Sequence, residues 1–260
     1  MKRYAVIAVA LLCFVTVLIG CASVKGKNTK ETKSVVIKKT EEIKPDSNSV
    51  LLDNFNGATQ GKGFGIIAYK NSIPNLGQAV SLLKGTYIKY SFAPWYRWDE
   101  VHKWDRNEVA PGVLTEGTIE MWIKPCRYSI GILNLNWNNA SSTPSAGHIM
   151  NLGLNNDGNL TYGVWGGNME KTPVGKSTIP LNEWSHIAVS WSSRGTKLYV
   201  NGVVDASTDV NCWPAFWKGS VYAYLNFWGD ADLGFVDDLH ISKTARTDEE
   251  IRLRMGGLLK

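Results

Sequence analysis

Chemistry in this chain would have to come from aromatic rings, amides and a few scattered acids. In Val221-Tyr222-Ala223-Tyr224-Leu225-Asn226-Phe227-Trp228, a period of two puts Tyr222, Tyr224, Asn226 and Trp228 on one face and Val221, Ala223, Leu225 and Phe227 on the other. The second set suits a core. The first is what a sugar platform uses: flat rings that stack on pyranose C–H faces, and an amide that bridges neighbouring hydroxyls. Leu133, Leu135 and Trp137 alternate in the same way with Asn134, Asn136 and Asn138. A sheet holding both strands would set amides beside aromatics, with Trp165 as a further member. Aromatics also crowd two loop-like stretches, Trp95-Tyr96-Arg97-Trp98 continuing to Trp104, and Trp213-Pro214-Ala215-Phe216-Trp217. Residues of that kind are either recognition elements at a rim or plugs over the edge of a fold.

The acids are less suggestive. Cleaving a glycosidic bond takes two carboxylates roughly 5 to 9 Å apart. Glu120 has Thr118 and Trp122 as its same-face neighbours, and Asp237 and Asp238 are adjacent and so face opposite ways on a strand. Asp230 and Asp232 share spacing but sit in a Gly-flanked, loop-like stretch. Their EF-hand reading fails, because the twelfth position is Ile241 rather than Glu. A lyase would use a Tyr, Lys or His cluster, and Tyr87-Ile88-Lys89-Tyr90 is too slight for one. No catalytic residue is assigned, and no catalytic cofactor. The four His are scattered, with His186 inside a strand-like run where a packed, hydrogen-bonded imidazole is expected.

The elements that must position these residues are strands. From Val50 onward the chain shows short alternating runs, frequent Gly and Asn turns and almost no helical period, the texture of one all-β sandwich. Thr118 to Lys124 alternates strictly and stops at Pro125. Asp157-Gly158 turns into the strand Leu160 to Val164. Lys197-Leu198-Tyr199-Val200, Asn201-Gly202 and Val203-Val204 make a hairpin, because Asn-Gly accepts the positive φ angles of a type I′ turn. A short helix is expected near the end, where Thr247 and Glu250 form a capping box ahead of Ile251 and Leu253.

Four blocks then resemble laminin-G-like, concanavalin A-like jelly rolls. Gly117-Thr118-Ile119-Glu120-Met121-Trp122-Ile123-Lys124-Pro125 is similar to that family's F-T-I-E-x-W-V-K-P strand, and Glu183 to Trp191 to its W-x-H-V-A-x-T-W strand. Leu198 to Val203 resembles L-Y-V-N-G-x, and Gly234 to Ile241 with Thr244-Ala245-Arg246-Thr247 resembles G-x-I-D-D-V-R-I-Y-N-R-A-L-S. The resemblance covers Leu51 to about Arg254 and implies a jelly-roll β-sandwich with a short C-terminal helix. It also implies a structural Ca²⁺ joining the first and last strands through Asp237 and Asp53. It leaves activity open, since the superfamily includes lectins, adhesins, glycan hydrolases and lyases. In this fold Trp122, Trp184 and Trp191 are expected to fill the core.

The amino terminus has the layout of an export signal. Lys2 and Arg3 precede an uncharged, mostly apolar run from Tyr4 to Ile19, shorter than the roughly 20 residues that span a bilayer. Leu18-Ile19-Gly20-Cys21 resembles the lipobox of bacterial lipoproteins. The resemblance implies cleavage before Cys21 and lipid on its sulfur, and Ala22 in the next position favours the outer membrane where a cell has two. Residues 1–20 are then signal, 21–49 a lipidated, Lys- and Thr-rich flexible tether, and 50–260 the domain, held in the cell envelope facing away from the cytoplasm. The formal charge of +5 belongs to the signal and tether, because Val50 to Lys260 carries 19 basic and 19 acidic residues. A neutral domain lacks the electrostatic footprint of a nucleic-acid binder. Two cysteines remain in it, Cys126 and Cys212, which either pair in an oxidising compartment or stay as buried thiols.

These readings describe an envelope lipoprotein that binds glycan or another surface polymer without altering it. The alternatives are a polysaccharide-active enzyme or a protein-binding adhesin; the oligomeric state is left open. Cys21→Ala is expected to move the protein from the membrane fraction to the soluble one with its circular dichroism unchanged. A variant that stays with the membrane would refute the lipid anchor.

Overall fold

A computed structural model describes residues 44–72, 77–91, 114–138, 148–164, 171–214, 220–226 and 231–255. The strands are β1 (Ser49–Asp53), β2 (Lys62–Phe64), β3 (Ala68–Asn71), β4 (Gln78–Leu82), β5 (Tyr87–Ser91), β6 (Gly117–Pro125), β7 (Ile130–Asn138) and β8 (His148–Leu154). They continue with β9 (Asn159–Val164), β10 (Val174–Thr178), β11 (Ser185–Ser192), β12 (Gly195–Val200), β13 (Val203–Thr208), β14 (Ser220–Leu225) and β15 (Gly234–Ser242), before the helix α1 (Asp248–Arg254). Two antiparallel sheets result. The first runs β13-β12-β11-β6-β15-β4-β3 with β1 added on β15, and the second runs β10-β9-β8-β7-β14-β5-β2.

The period-two pattern packs the sheets against each other. Ile119, Met121 and Ile123 of β6 and Ile187, Val189 and Trp191 of β11 enter the same core as Leu133 and Leu135 of β7, Leu152 of β8, and Ala223 and Leu225 of β14. A buried side chain of this size stabilises the fold by roughly 1.5–3 kcal/mol relative to exposure. The expected turns are present. Asn201 and Gly202 have φ of 52° and 74°, and Asn155 Oδ1 accepts from the amides of Asp157 and Asn159 at 2.9 Å ahead of β9.

The capping box also forms, with the Thr247 side chain accepting from Glu250 N and Glu250 accepting from Thr247 N. Only the apolar stripe of the helix differs from expectation. Ile251 is buried while Leu253 is exposed, because residues two apart on a helix face different ways; Met255, four on from Ile251, is the second buried contact. Ile251 packs on Ala188 and Tyr199, and Met255 on Trp122 and Trp184. Trp122 and Trp184 therefore fill a small second core on the outer face of the first sheet, under the chain end, while Trp191 belongs to the main one.

Beneath that chain end lies Glu120, with no exposed surface. Its Oε1 accepts from Arg254 Nε at 2.6 Å and lies 2.8 Å from His240 Nδ1. His186 Nε2 is 3.6 Å from Oε2, too far for a good hydrogen bond, and its ring makes an edge contact with Trp122 at 5.4 Å. The expected hydrogen bonds of His186 are absent from its ring. Burial works to raise the Glu120 carboxyl, but the two imidazoles and the Arg254 guanidinium outweigh it and hold the group well below the usual carboxylate range. Arg254 and Arg246 also reach Asp46, which Arg246 contacts at 2.5 Å. Burial alone would raise Asp46, yet Arg246 brings it down to about 2. His240 reaches this face through a β-bulge. Between Asp237 and His240 the register with β6 shifts, and Asp238 takes φ 48°, which reverses the parity of the rest of the strand.

The cysteines are unpaired. Cys126 is exposed with Sγ on Asp232 O at 3.2 Å, and Cys212 is buried beside Val210 O and Lys171 O. The carboxylates named for calcium are engaged by protein donors. Asp53 already accepts from Phe55 N, Thr59 Oγ1, Gln60 N and Tyr90 Oη, and Asp237 accepts from Ser72 Oγ and Asp238 N. Among the described residues no group of three or more His, Cys, Asp or Glu is arranged to hold a metal.

Glu120→Gln, which removes the buried counter-charge of the half-buried Arg254 and leaves it Asp46 at 3.6 Å, is expected to lower the unfolding free energy by about 1–3 kcal/mol in chemical denaturation. Because the folded carboxyl is held below its ordinary 4.5, its contribution is complete above that pH and is lost as pH falls beneath it. Wild-type stability should therefore drop below about pH 4.5, and the variant's should drop less steeply. Equal slopes would show that Glu120 is not the acid-sensitive group.

Candidate functional site

The chain end covers part of the outer face of the first sheet and borders an open cleft there, between Ser190, Lys197 and Ser207 on the strands and Asp248 on the helix; the residues singled out for binding gather on the outer face of the second. Register alone builds the row. Gly163 of β9 stands opposite Asn151 of β8, Asn151 opposite Asn134 of β7, Asn134 opposite Tyr224 of β14, Tyr224 opposite Lys89 of β5, and Lys89 opposite Lys62 of β2. A neighbouring row carries Asn136, Tyr222 and Ser91. Six strands at about 4.8 Å spacing make the first row roughly 24 Å long, the length of several sugar units rather than one.

The rings in this row touch one another. Tyr222 and Tyr224 lie 6.5 Å apart between centroids, Tyr224 is 6.1 Å from Tyr87, and Tyr87 stacks on Phe64 at 4.4 Å with planes 9° apart. Lys89 Nζ sits 3.6 Å from the Tyr222 centroid, a cation–π contact. Burial, reinforced by Tyr87 and Tyr222, pushes the Tyr224 phenol up, so it is a neutral hydroxyl that can donate or accept.

The amides fall into two kinds. Asn134 is buried at 1 % exposure, yet neither its Nδ2 nor its Oδ1 has a hydrogen-bond partner, and Asn136 Oδ1 is likewise unpaired. A buried amide without a partner costs roughly 1–3 kcal/mol. The space around them is kept by glycine: a side chain at Gly131 would meet Asn134 Nδ2 at 3.0 Å, while one at Gly163 would meet nothing within 4 Å. Asn151, which sequence alternation alone did not single out, is exposed in the same row. Its signal was the short run Met150-Asn151-Leu152, one polar residue between two that are buried.

Asn226 departs from the expectation. Strand β14 stops at Leu225, and Asn226 takes φ 56°, so its side chain leaves the binding face. Its Nδ2 donates to Thr86 O at 2.8 Å, Ala231 O at 3.2 Å and Leu83 O at 3.3 Å, tying down the β4–β5 turn. Trp213 is half-buried and packs on the main core, so it is a plug. Cys21, Trp95, Trp98, Trp104, Trp165, Trp217 and Trp228 lie outside the described residues.

The profile of the "Concanavalin A-like lectin/glucanases superfamily" matches residues 107–252, more than half of the chain. The chain belongs to that superfamily. No curated protein matches the sequence. Among solved structures it resembles domain 4 of an extracellular arabinanase from Geobacillus stearothermophilus, in complex with arabinotriose. That match has 19 % identity and a TM-score of 0.50 over 79 % of this chain and 87 % of that one. It also resembles the binding domain of botulinum neurotoxin DC in complex with SialylT, with 13 % identity and a TM-score of 0.54 over 80 % of this chain and 50 % of that one. The binding domain of Paraclostridial Mosquitocidal Protein 1 is similar at 16 % identity and a TM-score of 0.50, over 80 % and 52 % of the respective chains. The chain thus spans about half the length of either toxin domain structure. These likenesses establish the fold.

Asn226→Ala loses three amide contacts at a left-handed backbone position and is expected to cost about 1–3 kcal/mol in unfolding free energy. Asn226→Gly should cost less, because it keeps the backbone conformation. If alanine were tolerated as well as glycine in thermal melts, the turn-holding role would be wrong.

Proposed function

We propose that this protein is an envelope lipoprotein, anchored through Cys21, whose second sheet binds carbohydrate on its outer face without cleaving it. The observation that carries the reading is Asn134. A buried carboxamide with both ends unpaired, set between Tyr224 and Asn151, is a group prepared for a partner that brings its own donors and acceptors. Vicinal hydroxyls of a sugar supply them, and Tyr222, half-buried where Tyr224 is buried, offers a ring for the C–H faces. Asn136 and Asn151 extend the amide supply along the row.

The non-catalytic half of the reading rests on the acids. None of the seven strands of the second sheet contains Asp or Glu, and hydrolysis of a glycosidic bond takes a carboxylate pair. The superfamily and the similar domains solved with arabinotriose and with SialylT support the same class of ligand.

The test is a titration of the full-length protein, in mild detergent, with a panel of oligosaccharides while tryptophan fluorescence is followed. Saturable quenching by at least one sugar class without product release is expected; no saturable change with any class would sink the reading. Asn134→Leu sharpens it. Removing the unpaired amide should raise unfolding free energy by about 1–3 kcal/mol while weakening glycan binding about tenfold or more. A variant that is more stable and binds equally well would show that Asn134 is merely buried.

A further inference from the structure

The two sheets divide the charge of a neutral domain unequally. The acids of the strands all lie in the first sheet: Asp53, Glu120, Asp205, Asp237 and Asp238. The strands of the second sheet carry Lys62, Lys89 and Lys176 and no carboxylate. Two of these lysines, Lys62 and Lys89, stand directly opposite each other in the amide and tyrosine row. Like charges facing across a ladder destabilise a sheet, and among the described residues neither lysine has an acidic partner. Lys89 is half-buried and its ammonium is held over the Tyr222 ring, on the face that carries Asn134 and Asn136, rather than extended into solvent.

Resting on the glycan reading above, we infer that the ligand is an anionic glycan, one whose sugar ring lies against the half-buried Tyr222 while its carboxylate or sulfate meets Lys89, with Lys62 taking the next acidic group along the row. The unpaired amides read the neutral hydroxyls and the lysines read the charge. The ammonium on an aromatic face is already partly desolvated, which strengthens its pairing with an incoming anion. Two adjacent lysines at one end of a row that crosses six strands suit a polymer with neighbouring acidic groups better than a single acidic sugar.

The experiment compares five polymers on the full-length protein in detergent: polygalacturonate, its fully methyl-esterified form, dextran sulfate, dextran and single-stranded DNA. Binding is measured at low and at physiological salt. Polygalacturonate or dextran sulfate should bind at least tenfold more tightly than its neutral counterpart, and which of the two prevails identifies the anion as carboxylate or sulfate. Added salt should weaken the binding, because exposed charges are screened. Lys89→Gln should abolish most of the preference for the acidic polymer while leaving the melting temperature unchanged, whereas Lys70→Gln on the first sheet should change neither. Equal binding of acidic and neutral polymers overturns this inference and leaves the glycan reading standing. Failure of every sugar polymer overturns both. DNA binding as tightly as the best glycan would also overturn it, by showing an unspecific basic patch.

Discussion

Glu120 is a carboxylate with no contact with water in the middle of the first sheet, and segments from both ends of the domain converge on it. Taking such a group out of water costs several kcal/mol, recovered only through close opposite charge and hydrogen bonds. The partners come from separate parts of the chain: His240 from β15, His186 from β11, and Arg254 from the last turn of α1. Arg254 and Arg246 in turn hold Asp46, just ahead of β1. The segment entering the domain and the segment ending it are thereby drawn to one buried charge. The strap they form also covers Trp122, Ala188 and Tyr199, apolar surface that a bare sheet face would leave exposed.

That covering takes up part of one of the two outer faces of the sandwich, around Trp122 and Tyr199. The second sheet holds a row of amides and phenols, with open space beside Gly163. It carries cations but no acids in its strands. An unpaired, buried Asn134 destabilises the fold on its own account, and such a group is consistent with a surface shaped for something other than stability. Charge segregation has the same character. The strand acids of the first sheet are engaged by protein donors, some of them on the second sheet: Tyr90 donates to Asp53, and the Lys176 and Ser177 amides donate to Asp205.

The β-bulge at Asp238 connects these two outcomes. Without the extra residue, His240 would point into the core and Leu239 outward, and Glu120 would lose a neighbour. A left-handed backbone at a single position corrects both at once. Asn226 works in the same way at the end of β14: a positive φ turns its amide from the sheet face toward three carbonyls and closes the β4–β5 turn. In each case one residue outside the regular period redirects the side chains at its end of the strand.

Wherever the period of two is unbroken, the sequence by itself determined the outcome. The jelly-roll sandwich, the core faces of β6, β7 and β14, the Asn201-Gly202 hairpin and the Thr247–Glu250 cap were legible because each depends on local geometry: side chains alternate on a strand, and a turn or cap is chosen by a few neighbouring residues. The placing of Asn134, Asn136, Tyr222 and Tyr224 on one face was legible for the same reason. Tertiary structure alone decided the rest. Glu120 looked partnerless because its partners lie 66, 120 and 134 residues away and one of them arrives only through a bulge. That Asp53 and Asp237 are engaged by donors from other segments, among them Tyr90 and Ser72, was not legible from the residues around them, and the free state of Cys126 and Cys212 depended on where two distant strand ends fall. The row from Gly163 to Lys62 is a matter of register between six strands, and register is set by how whole sheets pack, not by any one of the segments that meet in it.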